Sequence, residues 1–386
     1  MIAVIADDLT GAAEIGGLAL KYDLKIELTT TTADLNSTAD LLIICTDTRS
    51  MSKHEALKVT EEITAALIKL KPKFIFKKID SVLRGHIVDE VEIHIKQLGV
   101  SKALIVPANP QFGRIIKQGH YYIDDLPIHL TSFAHDPEFP MASHQVHNML
   151  RVDEAKVHLK NHTDELPETG FIVGNCENKD DLKAWVNKLD KGTLLVGGVG
   201  IFAVLLESLG LEKQVSSYKN TNQTEYLKLF VCGSTQDNSR QLIRRIAEIN
   251  GPVAYMPIEI VALAKNGAYL FDNWADEIVS LLKIYKSAIV AIDESSTNNF
   301  EVTAADLRDK KAKVVEKVFH KIAINELLIE GGATAAAIIN RLNFSKFSPV
   351  EELGPGVIKM KVDGVDDLFL TVKPGSYQWP ANTWSF

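Results

Sequence analysis

The chain has 386 residues, more than a single hydrophobic core usually organises, so its length predicts two domains. Hydrophobic residues make up 46% and charged residues 24%, which is typical of globular proteins. The net charge of -8 disfavours non-specific binding to nucleic acid or acidic membranes, because both need a basic surface. A local group of Lys and Arg side chains can still bind a small anion.

The sequence predicts neither a targeting segment nor a membrane span. Asp7 and Asp8 interrupt the apolar N-terminal run that a signal peptide would need. The longest apolar stretch, residues 196–206, is too short to cross a bilayer. The cysteines lie far apart and are odd in number, so they indicate neither a disulfide framework nor a metal site. We therefore expect a cytoplasmic protein, with no membrane and no nucleic acid among its partners.

Short apolar runs alternate with helical patterns in the first half of the chain. Strands are predicted at residues 2–6, 41–45, 74–76, 103–106, 171–174 and 194–196. Helices are predicted at residues 53–70 and 88–98, where apolar residues recur at helical spacing. This alternation predicts parallel strands covered by helices. Residues 118–140 are rich in Pro, Asp and His and have no regular period, which predicts a long irregular excursion over the surface.

A polar stretch at residues 210–226 predicts a domain boundary, because it has many turn-forming and few large apolar residues. The expected domains are residues 1–215 and 225–386. Beyond it, strands are predicted at residues 227–232, 253–256 and 288–292, followed by a helix-rich section and an antiparallel pair at 357–362 and 368–372. The predicted fold class is therefore α/β, with two domains that each contain a mostly parallel sheet flanked by helices.

Two acidic residues, Asp7 and Asp8, follow the first predicted strand. Ligands bind beyond the carboxyl ends of strands in open parallel sheets, so these carboxylates could orient a hydroxyl, accept its proton or hold Mg2+. Thr10 and Gly11 would let the backbone turn tightly into a helix whose N–H groups face the same crevice. The alternative is that one acid only caps this helix, which would explain one acid and not both.

The third predicted strand leads into the segment KKIDSVLRG at residues 77–85. Successive strand side chains point to opposite faces, so only one of Lys77 and Lys78 can face a ligand. A turn at Asp80 and Ser81 would bring Lys78, Asp80 and Arg84 together, and a guanidinium suits a carboxylate or a phosphate. The alternative is a solvated run of charges, which the flanking apolar segments disfavour.

The fourth predicted strand ends in PANPQFGR at residues 107–114. Its prolines indicate a stiffened turn, but they do not explain the presence of Asn109 and Arg114. Acids, cations and an amide at three strand ends together predict a pocket for a small polyhydroxylated anion. Its carboxylate would bind Lys and Arg, and its hydroxyls would bind Asp and Asn.

Glycine-rich turns dominate the second half of the chain. They lie at residues 231–239, 329–339, 354–357 and 372–377, and the first two precede predicted helices. Helix N-termini and glycine turns bind phosphate, so the four turns together predict a nucleotide site. The P-loop pattern is absent, and no G-x-G-x-x-G follows the first strand, which disfavours a dinucleotide-dependent redox enzyme. An anion pocket beside a nucleotide site indicates phosphoryl transfer.

With these motifs, the chain resembles the four-carbon acid sugar kinases of the D-threonate/D-erythronate kinase type. The similar segments are residues 5–12, 77–85, 107–114, 136–137, 233–235, 331–335, 355–357 and 373–377. They run in order through nearly the whole chain, and those of the first half are the longest and most specific. The departures from the family pattern are Ala333 in place of an acid, Ser376-Tyr377-Gln378 in place of Asn-Phe-Gly, Asp125-Leu126 in place of Gly-Val, and Ile115 in place of Thr.

The resemblance implies a phosphotransferase that uses ATP to phosphorylate the terminal (4-) hydroxyl of a four-carbon sugar acid such as D-threonate, D-erythronate or 3-oxo-tetronate. It implies that the first domain binds the acid and the second binds ATP, with Mg2+ carried by the nucleotide. The alternative is a non-catalytic sugar-acid sensor on the same scaffold. The sequence does not decide the oligomeric state, and a homodimer is one option.

Candidate residues for each role follow from their positions in these segments. The catalytic candidates are Asp8, as general base or hydroxyl-orienting group, and Arg84. The candidates for binding the sugar acid are Asp7, Lys78, Asp80, Ser81, Asn109 and Arg114. The candidates for binding ATP are Ser234, Gly332, Ala333, Thr334, Ala335, Gly356 and Gly375. No residue is assigned as a direct metal ligand.

Overall fold

The computed structural model describes residues 1–32, 35, 37–136, 138–211, 213, 226–233, 237–262, 267–293, 300 and 302–383. The chain divides into two compact units, Met1–Val215 and Ser216–Phe386. Most of the predicted linker, from residue 214 to residue 225, lies outside the described residues. Each unit contains a mostly parallel sheet with helices, so the predicted α/β fold class is confirmed.

The first unit alternates strands and helices, as its sequence pattern predicts. Its strands are β1 (Ile2–Ala6), β2 (Ile26–Thr29), β3 (Leu41–Cys45), β4 (Phe74–Lys78), β5 (Lys102–Val106), β6 (Arg114–Lys117), β7 (His120–Ile123), β8 (Leu126–Pro127), β9 (Val157–Lys160), β10 (Gly170–Gly174) and β11 (Thr193–Gly197). Its helices are α1 (Leu9–Ala19), α2 (Lys53–Lys69), α3 (Ile87–Leu98), α4 (Val146–Leu150), α5 (Lys179–Asn187) and α6 (Val199–Ser208).

The main sheet of this unit has the order β2-β3-β1-β4-β11-β5-β10-β9, and its neighbouring strands are parallel. The chain runs from β1 to β2 and β3 on one side and then to β4 on the other side. The boundary between β1 and β4 is therefore the topological switch point, where ligands bind in open sheets of this kind.

The ends of the central strands lie at one level of the sheet. Ala6 of β1 is opposite both Cys45 of β3 and Lys78 of β4. Gly197 of β11 is opposite both Lys78 and Val106 of β5. The segments that follow these strands therefore share one edge of the sheet, as the sequence-based argument requires.

The prediction of an irregular excursion at residues 118–140 is wrong in part. Strands β7 and β8 lie within it, and with β6 they form a small antiparallel sheet. The β6–β7 turn uses Gln118 and Gly119, and the β7–β8 turn uses Asp124 and Asp125, all at positive φ. Two-residue turns with two positive φ angles are typical of tight hairpins. The pattern was missed because each strand is too short to show a period, and because three of the four turn residues are not glycine.

The second unit has the same alternation with an antiparallel end. Its strands are β12 (Lys228–Cys232), β13 (Val253–Tyr255), β14 (Ser287–Ala291), β15 (Glu326–Glu330), β16 (Lys346–Gly354), β17 (Val357–Val362) and β18 (Phe369–Lys373). Its helices are α7 (Asp237–Glu248), α8 (Ile258–Ala262), α9 (Ala268–Tyr285), α10 (Ala304–Phe319) and α11 (Gly332–Arg341).

The order of this sheet is β13-β14-β12-β15-β18-β17-β16. The first five strands are parallel, and β17 is antiparallel to β18 as predicted. The section expected to be helix-rich also contains β15 and β16, which corrects that expectation. The sequence pattern of β16 is hard to recognise because Pro349 and two register shifts interrupt its pairing with β17.

A buried polar network lies where α3 packs against the sheet in the first unit. Lys77 of β4 forms an ion pair with Glu90 of α3, and both are buried. One turn further along α3, His94 Nδ1 lies 2.8 Å from Thr64 Oγ1. Since the Thr64 hydroxyl donates to the carbonyl of Thr60, His94 must donate from Nδ1, which leaves its Nε2 unprotonated. Among the described residues, that Nε2 and one oxygen of Glu90 have no hydrogen-bond partner.

We expect His94 to make the stability of the protein sensitive to acid. Burial, assisted by the charge of Lys77, holds the pKa of His94 well below its ordinary value of 6.5. Below that pH the unfolded chain binds a proton that the folded chain excludes, so the free energy of unfolding falls as the pH falls. The contribution reaches at most about 2 kcal/mol by about pH 5.

The measurement is urea unfolding of the wild type and of His94→Asn between about pH 7.5 and pH 5. The Asn amide can replace Nδ1 as donor to Thr64 but does not titrate. The variant should therefore lose less stability on acidification than the wild type. Equal pH slopes for the two proteins would contradict the prediction.

Candidate functional site

Asp8 forms the N-cap of α1. Its Oδ1 accepts a hydrogen bond from the backbone N–H of Gly11 at 3.0 Å, and its Oδ2 accepts one from the Thr10 hydroxyl. Asp8 is therefore the acid that caps the helix, as the alternative interpretation of these two residues required. Helix capping does not explain the presence of Asp7. A Cβ atom at residue 11 would lie 2.6 Å from Asp8 Oδ1 and 3.0 Å from Lys78 Nζ. Residue 11 is therefore a glycine because Asp8 and Lys78 approach its backbone closely. The tight turn that the sequence suggested is not the reason, since Gly11 lies within α1.

Arg49 binds both adjacent acids, and the sequence analysis did not include it. Its Nε lies 3.0 Å from Asp7 Oδ2, and its Nη2 lies 2.8 Å from Asp7 Oδ1 and 2.8 Å from Asp8 Oδ1. Its Nη1 lies 3.9 Å from Asp80 Oδ1. Arg49 follows β3, whose end lies beside that of β1 in the sheet. Applying the strand-end rule to β3 would have found it.

The two lysines at the end of β4 point in opposite directions, as strand geometry predicts. Lys77 enters the ion pair with Glu90, whereas Lys78 lies beside α1. The Nζ of Lys78 donates to the carbonyl of Ile79 at 3.0 Å and lies 3.7 Å from a carboxylate oxygen of Glu14. Lys78 is 3% exposed, so its charge acts in a nearly water-free environment.

Asp80 and Arg84 form a two-point ion pair across the turn after β4. Arg84 Nε lies 2.7 Å from Asp80 Oδ2, and Arg84 Nη2 lies 3.0 Å from Asp80 Oδ1. A third nitrogen, Nη1, donates to Asp136 at 2.8 Å. Burial opposes the ionisation of Asp80, but the charges of Arg84 and Arg49 hold its pKa well below the ordinary value. Pro137, from the same family segment as Asp136, lies outside the described residues.

Arg114 lies beside this pair. Its Nη1 donates to the hydroxyl of Ser81, and the Arg114 and Arg84 guanidiniums lie 5.9 and 5.7 Å from the ring centre of Phe133. Asn109 is buried, and its backbone pairs with that of Arg114 in both directions at 2.8 and 3.1 Å. The structure therefore brings the predicted sugar-acid residues of all three strand ends to one edge of the sheet.

The environments of the two adjacent acids push their pKa values apart. Burial alone would raise the pKa of Asp8, but the charges of Arg49 and Lys78 outweigh it and hold the pKa below its ordinary value. Burial raises the pKa of Asp7; Arg49 opposes this rise and the charge of Asp8 adds to it. Pairs of carboxyl groups separated in this way commonly divide the roles of acid and base in enzymes. Asp8, with the lower pKa, is the stronger acid of the two.

In the second unit, one buried carboxylate joins four segments. Cys232, Glu330 and Lys373 end three neighbouring strands and lie opposite one another. Ser239 of α7 donates to both oxygens of Glu330 at 2.8 and 2.9 Å, and the indole of Trp379 donates at 2.9 Å. Lys373 Nζ lies 3.5 Å from Glu330 Oε2. This role was not evident from the sequence, because Glu330 is 91 residues from Ser239 and 49 residues from Trp379 along the chain.

Two buried lysines surround this carboxylate. Burial lowers the pKa of Lys311 to about 8, and its Nζ donates to the Cys232 carbonyl at 3.0 Å. Burial also lowers the pKa of Lys373, whose Nζ donates to the carbonyls of Pro374, at 2.9 Å, and Tyr377. Lys373 therefore fixes the last glycine-rich turn, and Lys311 fixes the end of β12.

The N-terminus of α11 has the form expected of an anion site. Gly331 precedes the helix at a φ of 97°, a conformation that favours glycine. Because it is a glycine, it has no side chain that could cap the helix. Gly332 and Ala333, which follow it, are half-buried. Thr334 and Ala335 are buried, so their side chains contribute to packing, not to an open surface.

The other residues predicted to bind ATP are Ser234, Gly356 and Gly375. Ser234 lies outside the described residues, but Gly233 before it is closely packed: a Cβ there would lie 2.2 Å from Thr334 Oγ1. Gly356 has a φ of 67°, and a Cβ there would lie 2.3 Å from the ring of Tyr377. The Gly375 carbonyl lies 3.4 Å from the Nζ of Lys373.

No described helix is long and apolar enough to span a membrane. Within the described ranges of the chain, no group of three or more His, Cys, Asp or Glu side chains is arranged to hold a metal ion.

Comparisons with known proteins agree with the motifs. A family model described as a sugar-binding N-terminal domain matches residues 2–205. A D-erythronate kinase of Heliobacterium modesticaldum is 31% identical over 47% of this chain and 42% of its own length. A 3-oxo-tetronate kinase of Haemophilus influenzae is 23% identical over 98% of this chain and 97% of its own length. A crystal structure of a Haemophilus influenzae protein has a TM-score of 0.70 at 19% identity over 97% of each chain, so the fold is shared. The resemblance read from the motifs is thus confirmed, and the chain belongs to the four-carbon acid sugar kinase family.

Proposed function

We propose that this protein transfers the γ-phosphate of ATP to the terminal (4-) hydroxyl of a four-carbon sugar acid, such as D-threonate, D-erythronate or 3-oxo-tetronate. One observation carries the proposal: the carboxylates of Asp7, Asp8 and Asp80 lie with Lys78 and Arg84 at the switch point of the first unit's sheet. Carboxylates suit the hydroxyls of such a substrate, and cations suit its carboxylate. The names of the relatives, kinases of D-erythronate and 3-oxo-tetronate, support the same substrate class.

Asp8 is the group we assign to the reacting hydroxyl. It accepts the hydroxyl proton as the oxygen forms its bond to the γ-phosphorus and the bond to the departing ADP breaks. Its lowered pKa makes it a weak base, so its main contribution is orientation of the hydroxyl. This suits phosphoryl transfer, whose loose transition state depends on positioning and charge neutralisation more than on early proton removal.

Arg84, Lys78 and Arg114 would bind the substrate carboxylate and neutralise the transferred charge. The two arginines flank the ring of Phe133, which limits the directions their guanidiniums can take. Asp7 and Asp80 are the next candidates to bind hydroxyl groups. Asn109 and Ser81 would complete the pocket through a buried amide and a hydroxyl that contacts Arg114.

The second unit fits the phosphates of ATP at the start of α11. The first N–H groups of a helix lack partners within the helix, and the N-cap residue Gly331 has no side chain that could bind them. Gly332, Ala333 and the glycine turns at Gly356 and Gly375 would form the rest of this surface, with Ser234 on the first turn. Mg2+ would enter on the phosphate oxygens of ATP and neutralise charge on the transferred group.

A sugar-acid sensor is the second candidate, and one residue favours it. Ala333 lies in the first turn of α11, where the family pattern has an acidic residue. If that acidic side chain is needed to bind Mg2+ with ATP, its replacement by Ala333 would leave a protein that binds the sugar acid but does not transfer a phosphate to it. Nucleotide binding therefore separates the two candidates.

The test is an ATP-consumption assay across a panel of four-carbon sugar acids with identification of the product. We expect one or more acids to give a 4-phosphate at the expense of ATP. A thermal-shift screen runs in parallel: a kinase is stabilised by ATP or ADP with Mg2+ and by the acid, and a sensor by the acid alone. No turnover with any acid, together with no stabilisation by nucleotide, would reject the kinase in favour of the sensor.

A further inference from the structure

Arg49 connects three strand ends through one side chain. It follows β3, binds Asp7 and Asp8 after β1 at 2.8 to 3.0 Å, and approaches Asp80 after β4 at 3.9 Å. Its side chain is 12% exposed, so these contacts lie largely out of water. Hydrogen bonds between ionised partners in such surroundings are short and roughly twice as strong as those between neutral groups.

The backbone around Arg49 holds the guanidinium in this position. The Arg49 N–H donates to the carbonyl of Asp7 at 3.2 Å, and the Thr46 N–H donates to that of Ala6 at 2.8 Å. Gly85 packs beside the pair: a Cβ there would lie 3.4 Å from Arg49 Cγ and 3.6 Å from Asp7 Oδ2, which is ordinary contact, so its φ of 98° and not lack of space favours glycine. The arginine is thus tied to two strand ends before any ligand binds, which is what preorganisation of a site requires.

Arg49 also decides the charge balance of this group. Carboxylates outnumber cations there: Lys78, Arg84 and Arg49 face Asp7, Asp8, Asp80, Glu14 and Asp136. Without Arg49, the adjacent acids Asp7 and Asp8 would repel each other in a buried site, and one of them would take up a proton. A protonated Asp8 cannot accept the proton of the substrate hydroxyl. It also no longer balances the charge of Lys78, which we assign to the substrate.

We propose that Arg49 is a positioning residue of the phosphoryl-transfer site, which keeps Asp7 and Asp8 ionised side by side and aims Asp8 at the substrate hydroxyl. The kinetic part of this inference rests on the proposed function. The electrostatic part does not, because it concerns the protonation of Asp7 and Asp8 in the ligand-free protein.

The experiment compares Arg49→Gln, which removes the charge, with Arg49→Lys, which keeps the charge and loses the two-pronged geometry. Arg341→Gln is the matched control, because Arg341 also binds two carboxylates, Glu316 at 2.8 Å and Asp309 at 3.1 Å, but lies in the second unit. The readouts are kcat/KM against pH and carbon NMR titration of the Asp7 and Asp8 carboxyl groups.

For Arg49→Gln we expect kcat/KM to fall by about 10²-fold and the acid limb of its pH profile to move to higher pH. The NMR titration should show a raised pKa for at least one of the two carboxyl groups. Arg49→Lys keeps the positive charge, so the acid limb of its pH profile should lie nearer to that of the wild type. Its kcat should still fall, because an ammonium group cannot bind Asp7 and Asp8 at the same time. Arg341→Gln should match the wild type in every readout.

Two results would overturn the inference. The first is a folded Arg49→Gln that keeps both its rate and its acid limb, and the second is unchanged titration of both carboxyl groups in that variant. If Arg49→Gln does not fold, a folded Arg49→Lys variant with the kcat of the wild type would also overturn the inference. If the wild type phosphorylates no acid, the proposed function fails, and the carboxyl titrations still decide the electrostatic part.

Discussion

Asp8→Asn should lower kcat by about 10²–10⁴-fold while the protein remains folded. Asparagine is as good an N-cap as aspartate, so its side-chain oxygen can still accept the Gly11 N–H that Asp8 accepts at 3.0 Å. What the variant loses is the negative charge that orients the substrate hydroxyl and accepts its proton. The measurement is steady-state turnover with the best acid of the panel, with the thermal midpoint measured on the same samples.

The companion variant is Asp7→Asn, which removes the neighbouring charge. Since Asp7 is assigned only to secondary contacts, its loss should cost less in kcat than the loss of Asp8. Turnover of Asp8→Asn within a few-fold of the wild type would remove Asp8 from the role. A larger loss in Asp7→Asn than in Asp8→Asn would transfer the role to Asp7.

Glu90→Leu should destabilise the protein by about 3–5 kcal/mol, because it leaves the ammonium of Lys77 buried without its partner. The ion pair is itself incomplete, since one oxygen of Glu90 finds no hydrogen-bond partner in the part of the chain that the structure describes. Replacing both charges by apolar side chains of similar size should therefore restore most of the loss. The double variant Lys77→Met/Glu90→Leu tests this in urea unfolding of the full chain.

Lys183→Ala is the control for this pair. Lys183 forms an ion pair with Asp180 at 2.8 Å on the exposed face of α5, and solvent screens it. We expect no measurable change in its unfolding midpoint. If the double variant is no more stable than Glu90→Leu, the loss comes from packing and the buried-charge explanation is wrong.

The fold class follows from the sequence for a clear physical reason. Strands buried on both faces, such as β1 and β3, must be apolar throughout, and amphipathic helices such as α2 must repeat with the helical period. These are local patterns, so a single sequence displays them. The short hairpin strands β7 and β8 and the interrupted strand β16 lack such patterns, and the structure had to reveal them.

The candidate residues of the first unit could also be named from the sequence, because strand order places the ends of parallel strands at one edge. Asp8, Lys78 and Arg84 were found in this way, and the structure brings them to that edge. The opposite directions of Lys77 and Lys78 likewise follow from the period of a strand.

Partners and protonation were decided only by the tertiary structure. Arg49 is separated from Asp7 in the chain by α1, β2 and β3, and Glu330 draws its partners from Ser239, Lys373 and Trp379. A sequence shows which groups can ionise, whereas burial and distances of a few ångströms decide which do. The pKa of Asp8 lies below its ordinary value and that of Asp7 above it, although the two residues are neighbours in the chain.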